Sequence, residues 1–233
     1  MIPNPYPGSF FVFEGIDGCG KSLQVAKVDE WLNGLEVTER NRLGLSFGRR
    51  KPEVIRTKEP VKDSFWGKLI YKDLFDTKLS ALHIANPFGF QTWYASNSKD
   101  HLSQTIKPAL QLNNIVLSDR FRPSMVYGAA SFEDIARFMM MNMAVIGEDF
   151  IWPDLIFIFD VSPETSLERL FQKGTKLDGF EEHSSFMRRV RDNYLYFAEH
   201  YENCHVINAE RSPEEVFEEV KGHITRLLES KTS

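Results

Sequence analysis

The chain has 233 residues, 42% hydrophobic, 26% charged and 13% aromatic, which supplies one buried core and excludes a disordered or fibrous protein. A formal charge of -5 excludes the clustered positive footprint of a nucleic-acid polymer binder, although a single nucleotide needs only a local pocket. Two cysteines, Cys19 and Cys204, are too few for a disulfide scaffold or a Cys-rich zinc site. No apolar run approaches the length of a membrane span and nothing before Phe10 resembles a secretory leader, so the cytosol is the expected compartment and no membrane partner is expected.

In chain order, the apolar run at residues 10–13 ends in Glu14-Gly15 and reads as a buried strand. A glycine loop, Gly15 to Ser22, follows, and residues 24–32 carry helical spacing. Residues 35–53 lack sustained periodicity and include Arg49-Arg50-Lys51; they read as an irregular, solvated insertion before a short strand at 54–57. Helical spacing returns at 63–75 and 90–112, with Pro108 a kink or late break. A strand at 115–117 delivers Asp119-Arg120. The Met-rich helix at 133–147 reads as core or subunit interface. Strand 155–159, helix 163–172, a polar segment through Glu182, helix 185–200, strand 205–208 and helix 213–229 complete the alternation. Parallel strands joined by helical crossovers follow from this order, in one domain over residues 1–233.

Gly15 through Ser22 satisfies the phosphate-loop pattern G-x-x-x-x-G-K-S/T between a strand and a helix. Glycines let backbone N–H groups converge on a phosphate at a positive helix end, Lys21 adds charge beside the transferred group, and the Ser22 hydroxyl suits Mg²⁺. The donor set is Gly15, Asp17, Gly18, Cys19, Gly20, Lys21, Ser22 and Leu23, with ATP and Mg²⁺ as cofactors. Cys19 is either redox-sensitive or a small residue that fits. Asp119, after an apolar strand, can approach the same magnesium, and Arg120 can bridge phosphates with its planar fork, unless the two form a structural salt bridge.

These motifs together resemble the thymidylate kinases among the P-loop nucleoside monophosphate kinases. Phe13 to Ser22 looks like that family's opening, Thr57-Lys58-Glu59-Pro60 is similar to its T-R-E-P segment, and Ile106 to Leu110, Asp119-Arg120-Phe121 and Ser124 resemble its I-x-P-A-L and D-R-Y/F/H-x-x-S elements. Pro153-Asp154-Leu155, Asp160 to Glu164 and Arg169 match the run ahead of a mobile lid, here about residues 173–182. The likeness spans about residues 10–225. It implies a three-layer α/β/α fold around a five-stranded parallel sheet, a homodimer, Arg169 on the donor, and an acceptor site built from Asp17, Lys58, Pro60, Tyr94, Ser98, Arg120, Ser124 and Tyr127. Departures accompany it. Relatives read F-x-x-x-R where this chain has Tyr94 to Ser98, so the stacking ring is kept and the arginine is not. Tyr127 is displaced by one position from the usual second aromatic. Gly18 and Gly179 stand where relatives place a loop or lid arginine, which leaves Lys173 and Lys176 as lid cations that either replace it or solvate an exposed turn.

The leading expectation is transfer of the γ-phosphoryl group of ATP to a nucleoside monophosphate, with dTMP implied by the resemblance, for deoxynucleotide biosynthesis. Lys21, Arg120, Asp17, Lys173 and Lys176 are the catalytic candidates, and Ser22 and Asp119 the metal ligands. The alternatives are a nucleotide-binding regulator with little turnover and a deoxynucleoside kinase. A signalling GTPase is weaker, since no N-K-x-D element is present.

Overall fold

The computed structural model describes residues 1–46, 51–174 and 180–231. Its strands are β1 (Ser9–Glu14), β2 (Val54–Lys58), β3 (Ile115–Asp119), β4 (Leu155–Asp160) and β5 (Cys204–Asn208). All five pair in parallel, in the order β2-β3-β1-β4-β5. β1 and β3 are buried at every position, the pattern of strands covered on both faces. Strand order departs in opposite directions from β1, and the crevice at the carboxyl ends of such strands is where α/β sheets bind ligands.

The helices are α1 (Lys21–Gly34), α2 (Val37–Arg42), α3 (Phe65–Leu74), α4 (Leu82–Ala85), α5 (Pro87–His101), α6 (Lys107–Gln111), α7 (Phe132–Ile146), α8 (Pro163–Gln172), α9 (Phe180–His200) and α10 (Pro213–Ser230). α1 packs on the sheet and on α10, while α9 packs on β4 and β5 and joins α7, which joins α5. The core is one cluster running from the β1 phenylalanines through Trp152 and Tyr194 to the inner face of α10. No helix among the described residues is long and apolar enough to cross a membrane.

Three expectations need correction. The 35–53 insertion is not wholly irregular. It contains α2, and Leu43 and Leu45 are buried in the main core, while Arg42 reaches Glu229 on α10 at 2.7 Å. Six helical residues are too few to leave a periodic signature. Arg49 and Arg50 lie outside the described residues. The polar segment before 185 is helical from Phe180, because glutamate is a good helix former and polarity alone does not mark a loop. Pro108 does not break its helix, which continues to Gln111: a π-helical turn, Leu102–Ile106, joins α5 to α6. Proline has no N–H to offer the turn before it, and the wider turn absorbs that loss.

Candidate active site

The loop between β1 and α1 folds over itself around its lysine. The Lys21 ammonium donates to the carbonyls of Gly15 at 2.9 Å and Ile16 at 2.8 Å and touches Cys19 Sγ at 3.5 Å. Burial, helped by the nearby Arg120 charge, lowers its pKa. An arriving anion therefore exchanges weak carbonyl partners for charged ones. Gly20 precedes α1 at φ 104°, a left-handed conformation that glycine adopts without strain. Gly18 sits at φ 81°, and a Cβ there would lie 2.6 Å from the Ser166 carbonyl on α8. The loop position where an arginine is missing is thus closed to any side chain in this packing. Ser166 also donates its hydroxyl to the Asp17 carbonyl, fastening α8 to the loop.

Asp119 closes β3 beside the start of α1. Its Oδ2 accepts from the Ser22 hydroxyl at 2.6 Å and lies 3.5 Å from Lys58 Nζ, while its buried Oδ1 has no hydrogen-bond partner among the described residues. A buried carboxylate oxygen without a partner, next to a hydroxyl at a phosphate loop, suits a hard divalent cation.

Arg120 is the hub. It holds φ 74°, a left-handed backbone that costs a residue with a Cβ about 1–2 kcal/mol. That conformation accompanies a dense set of side-chain contacts: its guanidinium reaches Asp17, the Tyr127 hydroxyl at 3.1 Å, and Ser124 and Tyr194 at 3.3 Å, and lies 4.9 Å from the Tyr127 ring centroid. Burial raises the Asp17 pKa, but Arg120 and Lys21 outweigh it and the net shift is downward, so the carboxylate stays charged. Glu14 is fully buried beneath this group. It accepts from Phe121 N at 2.6 Å and from the Ser124 and Tyr194 hydroxyls at 2.8 Å each, and burial raises its pKa despite Arg120 at 4.0 Å.

One cleft of about 500 Å³ is lined by Asp17, Gly18, Cys19, Gly20, Lys21, Ser22, Leu23, Lys58, Asp119, Arg120, Arg169 and Lys173 among others, so most of the sequence candidates share one space. Gly15 belongs to the loop and offers its carbonyl to Lys21 and Arg120. Arg169 donates to the Ala209 carbonyl at 3.0 Å on the cleft wall. Tyr127 and Ser124 reach the cleft through Arg120. Tyr94 is half-buried on α5, edge-on to Phe90; burial pushes its phenol up to about 12, partly offset by Arg120. Pro60 follows a cis Glu59–Pro60 peptide. Ser98 does not reach the cleft: it is fully buried, with its hydroxyl committed to Glu59. Lys176 and Gly179 lie outside the described residues.

Sequence reasoning assigned no role to Glu14, Tyr194, Glu59 or His101. The available signal for Glu14 was a carboxylate ending an otherwise apolar buried strand, a placement that demands partners.

The family model for thymidylate kinase matches residues 13–220. A probable thymidylate kinase of Thermococcus gammatolerans is 30% identical over 225 residues, covering 95% of this chain and 98% of that protein. A thymidylate kinase of Nitratidesulfovibrio vulgaris is 34% identical over 229 residues, with 94% and 97% covered. The crystal structure of thymidylate kinase from Ehrlichia chaffeensis superposes with a TM-score of 0.65 at 23% identity, over 93% of this chain and 98% of that one, which establishes the shared fold. With a phosphate loop, an Asp-Arg pair and a parallel five-stranded sheet gathered on one cleft, and with a family model spanning nearly all of it, this chain belongs to the thymidylate kinase family.

Proposed function

We propose that this protein transfers the γ-phosphoryl group of ATP to dTMP, giving ADP and dTDP. The observation that carries this reading is the cleft that joins the phosphate loop to Asp119 and Arg120 within a thymidylate kinase family chain. The relatives are named as enzymes, which favours turnover over a silent regulator and a monophosphate over a nucleoside acceptor.

Lys21 and the loop amides hold the donor phosphates, Arg169 borders the donor, and Arg120 with Asp17 aligns the acceptor; Lys58, exposed beside Asp119, adds charge on that side. Ser22 and Asp119 would hold Mg²⁺, which when bound neutralises charge on the phosphates. Tyr94 stacks on the acceptor base, and Tyr127 and Ser124 keep Arg120 in place. Lys173, exposed on the cleft rim, supplies lid charge together with Lys176. The chain works in the cytoplasm, in keeping with two unpaired cysteines, and as a homodimer, for which exposed Met140 on α7 offers an apolar contact.

The deciding experiment measures ADP release from ATP and Mg²⁺ with each common nucleoside monophosphate. dTMP should give the highest kcat/KM, and release with none of them overturns the reading. Asp119→Asn should depress Mg²⁺-dependent turnover about a hundredfold or more, ~3 kcal/mol, while ATP affinity measured in EDTA stays near wild type. Equal losses in both measurements identify Asp119 as structural. Tyr94→Ala should raise the KM for dTMP by the equivalent of about 1–3 kcal/mol and leave the KM for ATP nearly unchanged.

A further inference from the structure

Lys58, which lines the cleft beside Asp119, is the last residue of an edge strand. β2 pairs only with β3, Thr57 opposite Ser118 and Lys58 opposite Asp119. Beyond it the Glu59 N–H still reaches the Asp119 carbonyl at 3.1 Å, and the chain then leaves the sheet at Pro60. A strand end held on one side only is prone to fray, and a lysine carries a long flexible stem of its own. A cation at such a place is well positioned only if the backbone beneath it is fixed.

The fixing comes from α5. Side chains alternate along a strand, so Thr57 and Glu59 leave on one side and Lys58 on the other. His101, 4% exposed, joins the first two: the Thr57 hydroxyl lies 2.6 Å from its Nε2, and Glu59 Oε1 lies 3.0 Å from its Nδ1. Burial pushes the Glu59 carboxyl up, but Arg122 at 2.5 Å outweighs it and the net shift is downward, so Glu59 is a carboxylate and Nδ1–H is the donor. Ser98 and Arg122 hold the other Glu59 oxygen, which anchors one end of the clip independently of the histidine. The Thr57 hydroxyl has no other hydrogen bond among the described residues. We propose that His101 is a positioning residue of the acceptor site: by clipping Thr57 to the anchored Glu59, it fixes the strand end between them and holds the Lys58 ammonium toward the acceptor's phosphate. This deepens the kinase reading and rests on it. His101 itself touches no substrate, and its effect passes through Lys58.

The test is a double-mutant cycle of His101→Phe and Lys58→Met, read as the KM for dTMP, the KM for ATP and the thermal midpoint. Phenylalanine fills the space of the imidazole and makes neither bond. With Lys58 present, His101→Phe should raise the dTMP KM about tenfold and leave the ATP KM within about twofold of wild type. In the Lys58→Met background the same substitution should change the dTMP KM by less than about twofold, because the cation it positions is gone. Thr57→Val opens the clip at its other end with a side chain of similar shape. It should show the same dependence on Lys58, and it carries the test alone if His101→Phe does not fold. An equal rise in the dTMP KM in both backgrounds makes the clip a general brace and overturns the proposal. So does a lower thermal midpoint with an unchanged dTMP KM. Failure of wild type to phosphorylate any monophosphate instead overturns the kinase reading, and the positioning role with it.

Discussion

Replacing Lys21 by alanine lowers kcat for phosphoryl transfer by about three orders of magnitude, or ~4 kcal/mol of transition-state stabilisation, with the fold retained. The expectation follows from where the ammonium rests. Two carbonyls and a thiol of the loop are weak partners for a buried cation, and they are what phosphate oxygens would displace. Since the migrating phosphoryl group spreads negative charge over its equatorial oxygens, a preplaced cation gains most at the transition state and the loss falls on kcat more than on KM. The ammonium's hydrogen bonds all run to its own loop, so the thermal unfolding midpoint should move by only a few degrees, about 1 kcal/mol. Steady-state kinetics by coupled ADP release and a thermal melt check both parts. An unchanged kcat removes Lys21, and with it the loop, from the chemistry.

Arg120→Met should cost as much activity and considerably more stability. The guanidinium holds Asp17, Ser124, Tyr127 and Tyr194 and is the nearest positive charge to the fully buried Glu14. Breaking such a pair from one side costs about 3–5 kcal/mol, reduced here because Glu14 already leans toward its neutral form. A midpoint lower by about 10 °C is expected, at roughly 2–4 °C per kcal/mol for a chain of this size. Phosphoryl transfer should fall about a thousandfold, because the acceptor loses a bidentate partner and Asp17 loses its anchor. Arg120→Gly separates the two contributions. It relieves the left-handed backbone and should recover about 1 kcal/mol of stability over methionine while remaining as inactive. Recovery of activity along with stability would make Arg120 a structural residue.

What could be read from the sequence was whatever is local. β1, the phosphate loop and α1 are contiguous, and each leaves its own mark: an apolar run, spaced glycines, helical periodicity. Asp119-Arg120 is legible for the same reason, as a charged pair ending an apolar strand. The Glu59 network is not legible, because its members come from positions 42 and 63 residues apart in sequence and meet only through the β2–β3 pairing and the packing of α5. Ser98 shows the hazard of position-by-position transfer: it aligns with an acceptor arginine, yet a side chain this short stays beneath the wall and bonds Glu59 instead. Gly18 is the converse. Its lack of a side chain reads as a missing cation in the sequence, and in three dimensions it is the contact that lets α8 lie on the loop.

The π-helical turn at Leu102–Ile106 bears on how this chain can be compared with others. Such a turn holds one residue more than an α-helical turn, so it acts as a built-in insertion. The extra residue rotates everything before it by about 100° relative to everything after it. Asn97, Ser98 and His101, spaced along one stripe of α5, meet Val61 and Glu59 after β2 in that rotated setting, while Ala109 and Leu110 stay fixed in the core. A chain one residue shorter here would keep its hydrophobic anchor and turn that stripe away from Glu59. An alignment gap at residues 102–106 would therefore mark a change in which side chains meet Glu59 and Val61, even where every residue of the stripe is identical.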